Sequence, residues 1–119
     1  MLRVSLVFMV GMLLSGSVFA DPPKSVDGRL VDEYGMTLYT FDKDMPGKSM
    51  CNAACQANWP PAMAESDDKA SGKFTLVAME GGKEQWAYKG HPLYHWSKDE
   101  KAGDTKGDNF KNVWHVAKP

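Results

Sequence analysis

Two cysteines, Cys51 and Cys55, stand four residues apart, and His91, His95 and His115 follow in the C-terminal half. Thiolate sulfur with imidazole nitrogen is a soft ligand set suited to copper, and Met50, beside Cys51, adds a thioether. If the strands carrying His95 and His115 pair, the two imidazoles become cross-strand neighbours about 5 Å apart at Cβ. Copper handling through Cys51, Cys55, His95, His115 and Met50 is therefore one reading. The other is a disulfide, the usual fate of so close a pair in an oxidising compartment. Its loop is very short, which puts the stabilisation near the low end of ~2–4 kcal/mol. C-x-x-C-H haem attachment and a four-ligand zinc site are both absent.

Carboxylates offer a second chemistry. Tyr-x-aromatic-x-x-Asp occurs twice, as Tyr39/Phe41/Asp44 and Tyr94/Trp96/Asp99. Asp44 and Asp99 could act as an acid–base pair or join Asp42, Asp104 and Asp108 around a cation, though no loop has EF-hand spacing. The structural reading is that each Asp ends a strand and accepts backbone amides at the bend. There is no G-x-S-x-G elbow, no H-E-x-x-H and no phosphate-cradling glycine loop. Catalysis would need a cleft holding a perturbed acid beside a nucleophile, so the expectation is a protein that is not an enzyme. Trp59, in the Pro-flanked segment Asn58-Trp59-Pro60-Pro61, is free of strand alternation. It is the candidate for an exposed, ligand-facing aromatic whose loss would leave stability nearly intact.

The elements that must position these residues come in duplicate. Gly35-Met-Thr-Leu-Tyr-Thr-Phe-Asp-Lys-Asp44 and Gly90-His-Pro-Leu-Tyr-His-Trp-Ser-Lys-Asp99 match 55 residues apart. Such self-similarity marks a duplicated supersecondary unit, here with repeats near 29–44 and 84–99. Period-2 alternation runs through Tyr39/Phe41, Trp86/Tyr88, Tyr94/Trp96 and Trp114/Val116, the pattern of half-buried antiparallel strands. Each repeat reads as a hairpin, Arg29–Glu33 into Met36–Phe41 and Lys83–Tyr88 into Pro92–Trp96, with further strands at Phe74–Met79 and Asn112–Ala117. Pro92 fits only a strand start or an edge. Ser49 caps a short helix over Met50–Asn58 that Pro60-Pro61 stops, and Ala62–Gly72 is a polar loop. The fold class is mainly β: a small antiparallel sheet domain of two related hairpin repeats plus one short helix bearing C-x-x-x-C.

Arg3, the apolar run Val4–Leu14 and the small residues ending at Ala20 form a signal peptide pattern over 1–20. The run is too short for a span of ~20 residues, so residues 21–119 are expected as one soluble domain, periplasmic or secreted. No lipobox Cys lies near the cleavage point. Without Arg3 the chain carries 13 basic residues against 15 acidic ones, net −2. That near-neutral, interspersed charge excludes a nucleic-acid track.

The doubled motif, with Asn58-Trp59-Pro60-Pro61 between its copies and Val113-Trp114-His115-Val116 at the end, resembles a bacterial secreted-repeat family. Its members are described as predicted lipoproteins with a Tyr-x-(Phe/Trp/Tyr)-x-x-Asp motif. The resemblance covers Arg29 to Pro119 and implies an extracytoplasmic location without assigning an activity. The chain departs from the lipoprotein label in lacking the lipobox Cys. The function expected from these features is a non-catalytic binding or interaction module of the cell envelope. Its partner is an unknown envelope or extracellular ligand and it needs no cofactor; copper handling is the alternative.

Overall fold

The computed structural model describes residues 22–119; the signal peptide pattern lies outside them. Eight short strands, one turn of α-helix and two 3-10 turns (Glu80–Gly82 and Phe110–Asn112) follow the described chain: β1 Lys24–Val26, β2 Arg29–Val31, β3 Tyr39–Phe41, α1 Ala53–Gln56, β4 Met63–Ala64, β5 Phe74–Ala78, β6 Glu84–Tyr88, β7 His91–Pro92 and β8 Trp114–Val116. All pairings are antiparallel: β1 with β2, β3 with β8, and β6 with β4, β5 and β7. The β1–β2 turn puts Asp27 and Gly28 both at positive φ, the left-handed pair that matches strand twist in a two-residue hairpin. Lys89 and Gly90 repeat that conformation between β6 and β7.

Each repeat begins as a local hairpin, β2 with residues 36–38 and β6 with β7, and its tyrosine segment then crosses to the other repeat. β3 leaves β2 after a bridge between Val31 and Thr37 and pairs with β8 from the other repeat, Thr40 opposite His115. Reciprocally, the Tyr94 segment pairs with the Trp59 segment, through a Tyr94–Pro61 bridge and His95 N–H donating to the Pro60 carbonyl. Where the two meet, Tyr39 and Tyr94 exchange both backbone hydrogen bonds, at 2.8 and 2.9 Å. The same exchange symmetry governs the flanks. Asp42 N–H donates to Val113 as Ser97 N–H does to Asn58, and Ala117 N–H donates to Leu38 as Ala62 N–H does to Leu93. A pseudo-twofold relation between the repeats thus runs through the Tyr39–Tyr94 bridge.

The core obeys the same relation. One cluster holds Leu30 with Trp86, Leu38 with Leu93 and Ala62 with Ala117. The other is aromatic, built on Tyr39, Tyr94, Trp59, Trp96 and Trp114. Phe41, Trp114, Trp59 and Trp96 form one continuous stack with centroids 4.2, 3.8 and 4.1 Å apart. Trp59 and Trp114 lie parallel at its centre, 1° between planes, and each takes the edge of its own repeat's tyrosine. Such aromatic pairs are worth ~0.5–1.5 kcal/mol each beyond the area they bury.

Several expected boundaries shift for local reasons. The helix is a single turn, capped by Asn52, whose side chain accepts from Cys55 N–H, while Ser49 is engaged elsewhere. β8 starts at Trp114 because Asn109, Lys111 and Asn112 hold positive φ. β4 forms inside the expected polar loop by pairing with Glu84 and Gln85. β1 escaped the sequence reading because its three residues show no alternation. Trp59 is a correction: with 3% of its surface exposed, it faces no ligand. The Pro-flanked segment is itself strand-like, paired to residues 94–97, and its ring fills the centre of the stack.

Gly107 is tight against that stack, since a Cβ there would lie 2.6 Å from Trp59 Cη2 and 3.0 Å from Trp96 Cγ. Trp59→Ala should cost about 3–5 kcal/mol by cavity formation, and Gly107→Ala about 1–3 kcal/mol by overpacking. Urea unfolding of the two variants checks both; near-wild-type midpoints would contradict the packing described.

Candidate functional site

The doubled Tyr and Asp residues are brought together, but across the repeats. Tyr39 donates to Asp99 Oδ2 at 2.7 Å, and Tyr94 donates to Asp44 Oδ2 at 2.7 Å. The second oxygen of each carboxylate accepts a backbone amide of its own loop, Met50 N–H on Asp44 and Lys106 N–H on Asp99. Each Asp therefore holds its bend and clamps the opposite repeat's buried tyrosine. Gly107 N–H donates to Tyr39 Oη at 3.2 Å. At the matching place Ser49 intervenes, its Oγ 2.5 Å from Tyr94 Oη and accepting from Cys51 N–H.

Burial above all raises both tyrosine hydroxyls well beyond their ordinary value, and their carboxylate partners act the same way. They stay protonated donors. Burial also raises Asp44, against the lowering effect of the Met50 amide and the Tyr94 hydroxyl. These groups leave no free nucleophile beside a base, because every Tyr–Asp atom is bonded to a structural partner.

The soft-ligand set does not assemble. Cys51 and Cys55 form a disulfide. His95 is held by Asp32 Oδ2 and His115 by Asp42 Oδ2, each at 2.8 Å. Their strands do not pair with one another, because β3 lies between them. Met50 is half exposed on the loop above the disulfide. Among the described residues no group of three or more His, Cys, Asp or Glu is placed to hold a metal ion. With the cysteines oxidised, the sulfurs and imidazoles of the copper reading are thus not gathered at one place.

A feature that the motifs did not signal is a cleft of about 740 Å³ between the Gly47–Cys51 loop and the β5–β6 sheet, lined by Ser49, Pro61, Met63, Val77, Met79 and Gln85 among others. Its origin lies in a difference between the copies. Equivalent backbone bonds (Leu38 N–H to Leu30, Leu93 N–H to Trp86) make Gln85 the counterpart of Arg29. Arg29 Nε donates to Thr37 Oγ1 at 3.2 Å, and its guanidinium lies 3.9 Å from the place of a Cβ on Gly103. Gln85 is shorter and Pro92 replaces Thr37, so the space beside Gly47 stays open. Gln85 is fully buried, its Nε2 donates to the Leu93 carbonyl at 2.8 Å, and Oε1 has no partner. Comparing the copies position by position in the sequence could have found this, had the one-residue shift in the hairpin been visible.

Both halves of the molecule match the family described as a secreted repeat of unknown function, over residues 24–63 and 75–118. The chain belongs to that family. The two matched segments begin at Lys24 and Thr75, the counterparts in β1 and β5 of this internal symmetry. The family is secreted, and among the described residues no helix is long and apolar enough to cross a membrane. No curated protein and no solved structure was found to match the chain.

Removing a clamp should be costly. Tyr94→Phe leaves Asp44 Oδ2 short of its donor, and Tyr39→Phe does the same to Asp99; each should lose about 1–3 kcal/mol, read by urea unfolding. Losses under 0.5 kcal/mol, within the range of ordinary surface substitutions, would contradict the clamps. The pH dependence has a definite sign. Asp44 is raised above its ordinary 3.8, so just above 3.8 the folded state binds more protons than the unfolded one. Its contribution therefore favours folding below that window and is lost as pH rises through the folded value. Stability of the wild type relative to Asp44→Asn should fall across that interval in a pH series of unfolding curves.

Proposed function

We propose that this protein is an exported, non-catalytic binding module whose recognition site is the Gln85 cleft. The observation that carries the reading is the broken symmetry at this one place. Residues alike in the two copies are consumed by the scaffold: the tyrosines, the aspartates, the stacked rings. Where the copies part, Arg29 fills its half and Gln85 leaves the other half open. The secreted family and the disulfide beside the cleft support an envelope setting.

The second copy provides a natural blocking substitution. Gln85→Arg places in the cleft the side chain that already occupies the equivalent space around Arg29. Native mass spectrometry of the protein purified from its own envelope should show a bound mass on the wild type and none on Gln85→Arg, with both variants folded by circular dichroism. A bound mass retained on Gln85→Arg, or turnover of that species by the wild type, would contradict the reading.

A further inference from the structure

The two copies also part along the outer edge of the sheet. β5 ends the order β4–β6–β5, so β6 is its one strand neighbour. Its counterpart in the first repeat is β1, because Val77 lies opposite Gln85 as Val26 lies opposite Arg29. Leu76 therefore answers Ser25, Thr75 answers Lys24 and Phe74 answers Pro23. Proline, lysine and short length are usual guards of an exposed strand edge. β1 has all three: it is three residues long, opens on Lys24 behind Pro23, and stops where Asp27 turns at positive φ. β5 has none of them. It runs five residues, Phe-Thr-Leu-Val-Ala, uncharged and free of proline, with Thr75 and Ala78 exposed.

The hydrogen-bond parity of this edge is fixed. Met79 N–H donates to the Lys83 carbonyl and Lys89 N–H to that of Lys73, so residues 73, 75, 77 and 79 turn their backbone groups to β6. Those of Phe74, Leu76 and Ala78 point away. Phe74 and Ser71 satisfy each other, at 2.9 and 3.0 Å. Leu76 and Ala78 each keep an N–H and a carbonyl without a backbone partner among the described residues. A twofold axis normal to the sheet sets one residue opposite its own copy. With Leu76 on the axis, Ala78 would meet the engaged Phe74. With Val77 on it, Leu76 of each copy meets Ala78 of the other, and every open group pairs in two reciprocal exchanges. That register also brings the Lys73 end of each strand to the Glu80 end of the other. Neither side chain is in an ion pair among the described residues.

We propose that β5 is a self-complementary edge at which two copies of this chain join antiparallel, Val77 facing Val77, into one continuous sheet. The inference stands apart from the cleft reading and adds to it. Val77 and Met79 line the cleft, and in this register the second copy's Val77 and Thr75 stand beside them. Each copy thereby extends the outer wall of the other's cleft. A single strand edge buries less than a permanent interface does, so the dimer is reversible, with Kd between about 1 μM and 1 mM.

Sedimentation velocity of the oxidised protein across that range should show a concentration-dependent passage from monomer to dimer. A mixture of isotope-labelled and unlabelled protein should give intermolecular NOEs between Val77 methyls and between Leu76 and Ala78. Ala78→Pro removes only an outward donor, which an edge position accepts, and should weaken the dimer about tenfold or more with an unchanged circular dichroism spectrum. Lys73→Glu should weaken it several-fold, and adding Glu80→Lys should restore it; this pair decides the matter if the proline variant does not fold. A protein monomeric at about 1 mM, a dimer insensitive to Ala78→Pro and to Lys73→Glu, or intermolecular NOEs from another surface would overturn the inference. So would a monomer that carries a strand of a different envelope protein on β5.

Discussion

The whole architecture depends on a reciprocal exchange at one point, where Tyr39 and Tyr94 give each other both backbone hydrogen bonds and their hydroxyls cross to the opposite repeat's aspartate. A short hairpin of three-residue strands cannot bury enough apolar surface to stand alone. Crossing solves that problem, because each tyrosine strand completes its pairing with a tryptophan segment from the other copy. The rings then fall into one stack centred on Trp59 and Trp114. A buried hydroxyl and a partly buried carboxylate are costly unless satisfied, and here each satisfies the other.

This arrangement explains why the doubled motif has its spacing. The tyrosine must lie at the crossing, the aromatic two residues on must share its face, and the aspartate must sit past the strand end to reach back. Asp44 and Asp99 reach two partners each, one in their own loop and one across the axis. The motif is thus a device for joining copies. A duplicated scaffold so firmly held can diverge at a peripheral place with little loss, and the Arg29/Gln85 difference is such a place.

Much of this was legible in the residues. Alternation at Tyr39/Phe41 and Trp86/Tyr88 gave the strand character, Asp27-Gly28 and Lys89-Gly90 the tight turns, and the paired cysteines the disulfide; past Pro92 the expected strand reduces to bridges at Tyr94. The crossing was not legible, because alternation reports which face is buried and says nothing about which strand is the neighbour. The local hairpins form, β6 with β7 and Val31 against Thr37, and the tertiary pairing of the tyrosine strands is added beyond them. Trp59 misled for a related reason: flanking prolines suggest a loop, yet its edge position beside residues 94–97 needs few donors from them. The cleft was invisible because it arises from a missing volume, the difference between Arg29 and Gln85, and carries no motif.

The most direct measurement is fragment complementation across the exposed loop between β4 and β5. Residues 22–70 and 71–119, prepared as separate chains, should each give an NMR spectrum without native dispersion. Mixed in equal amounts, they should recover the three indole resonances of the intact stack, those of Trp59, Trp96 and Trp114. If either fragment folds by itself into a dispersed, cooperatively melting species, the crossing of the two repeats is not what holds this protein together.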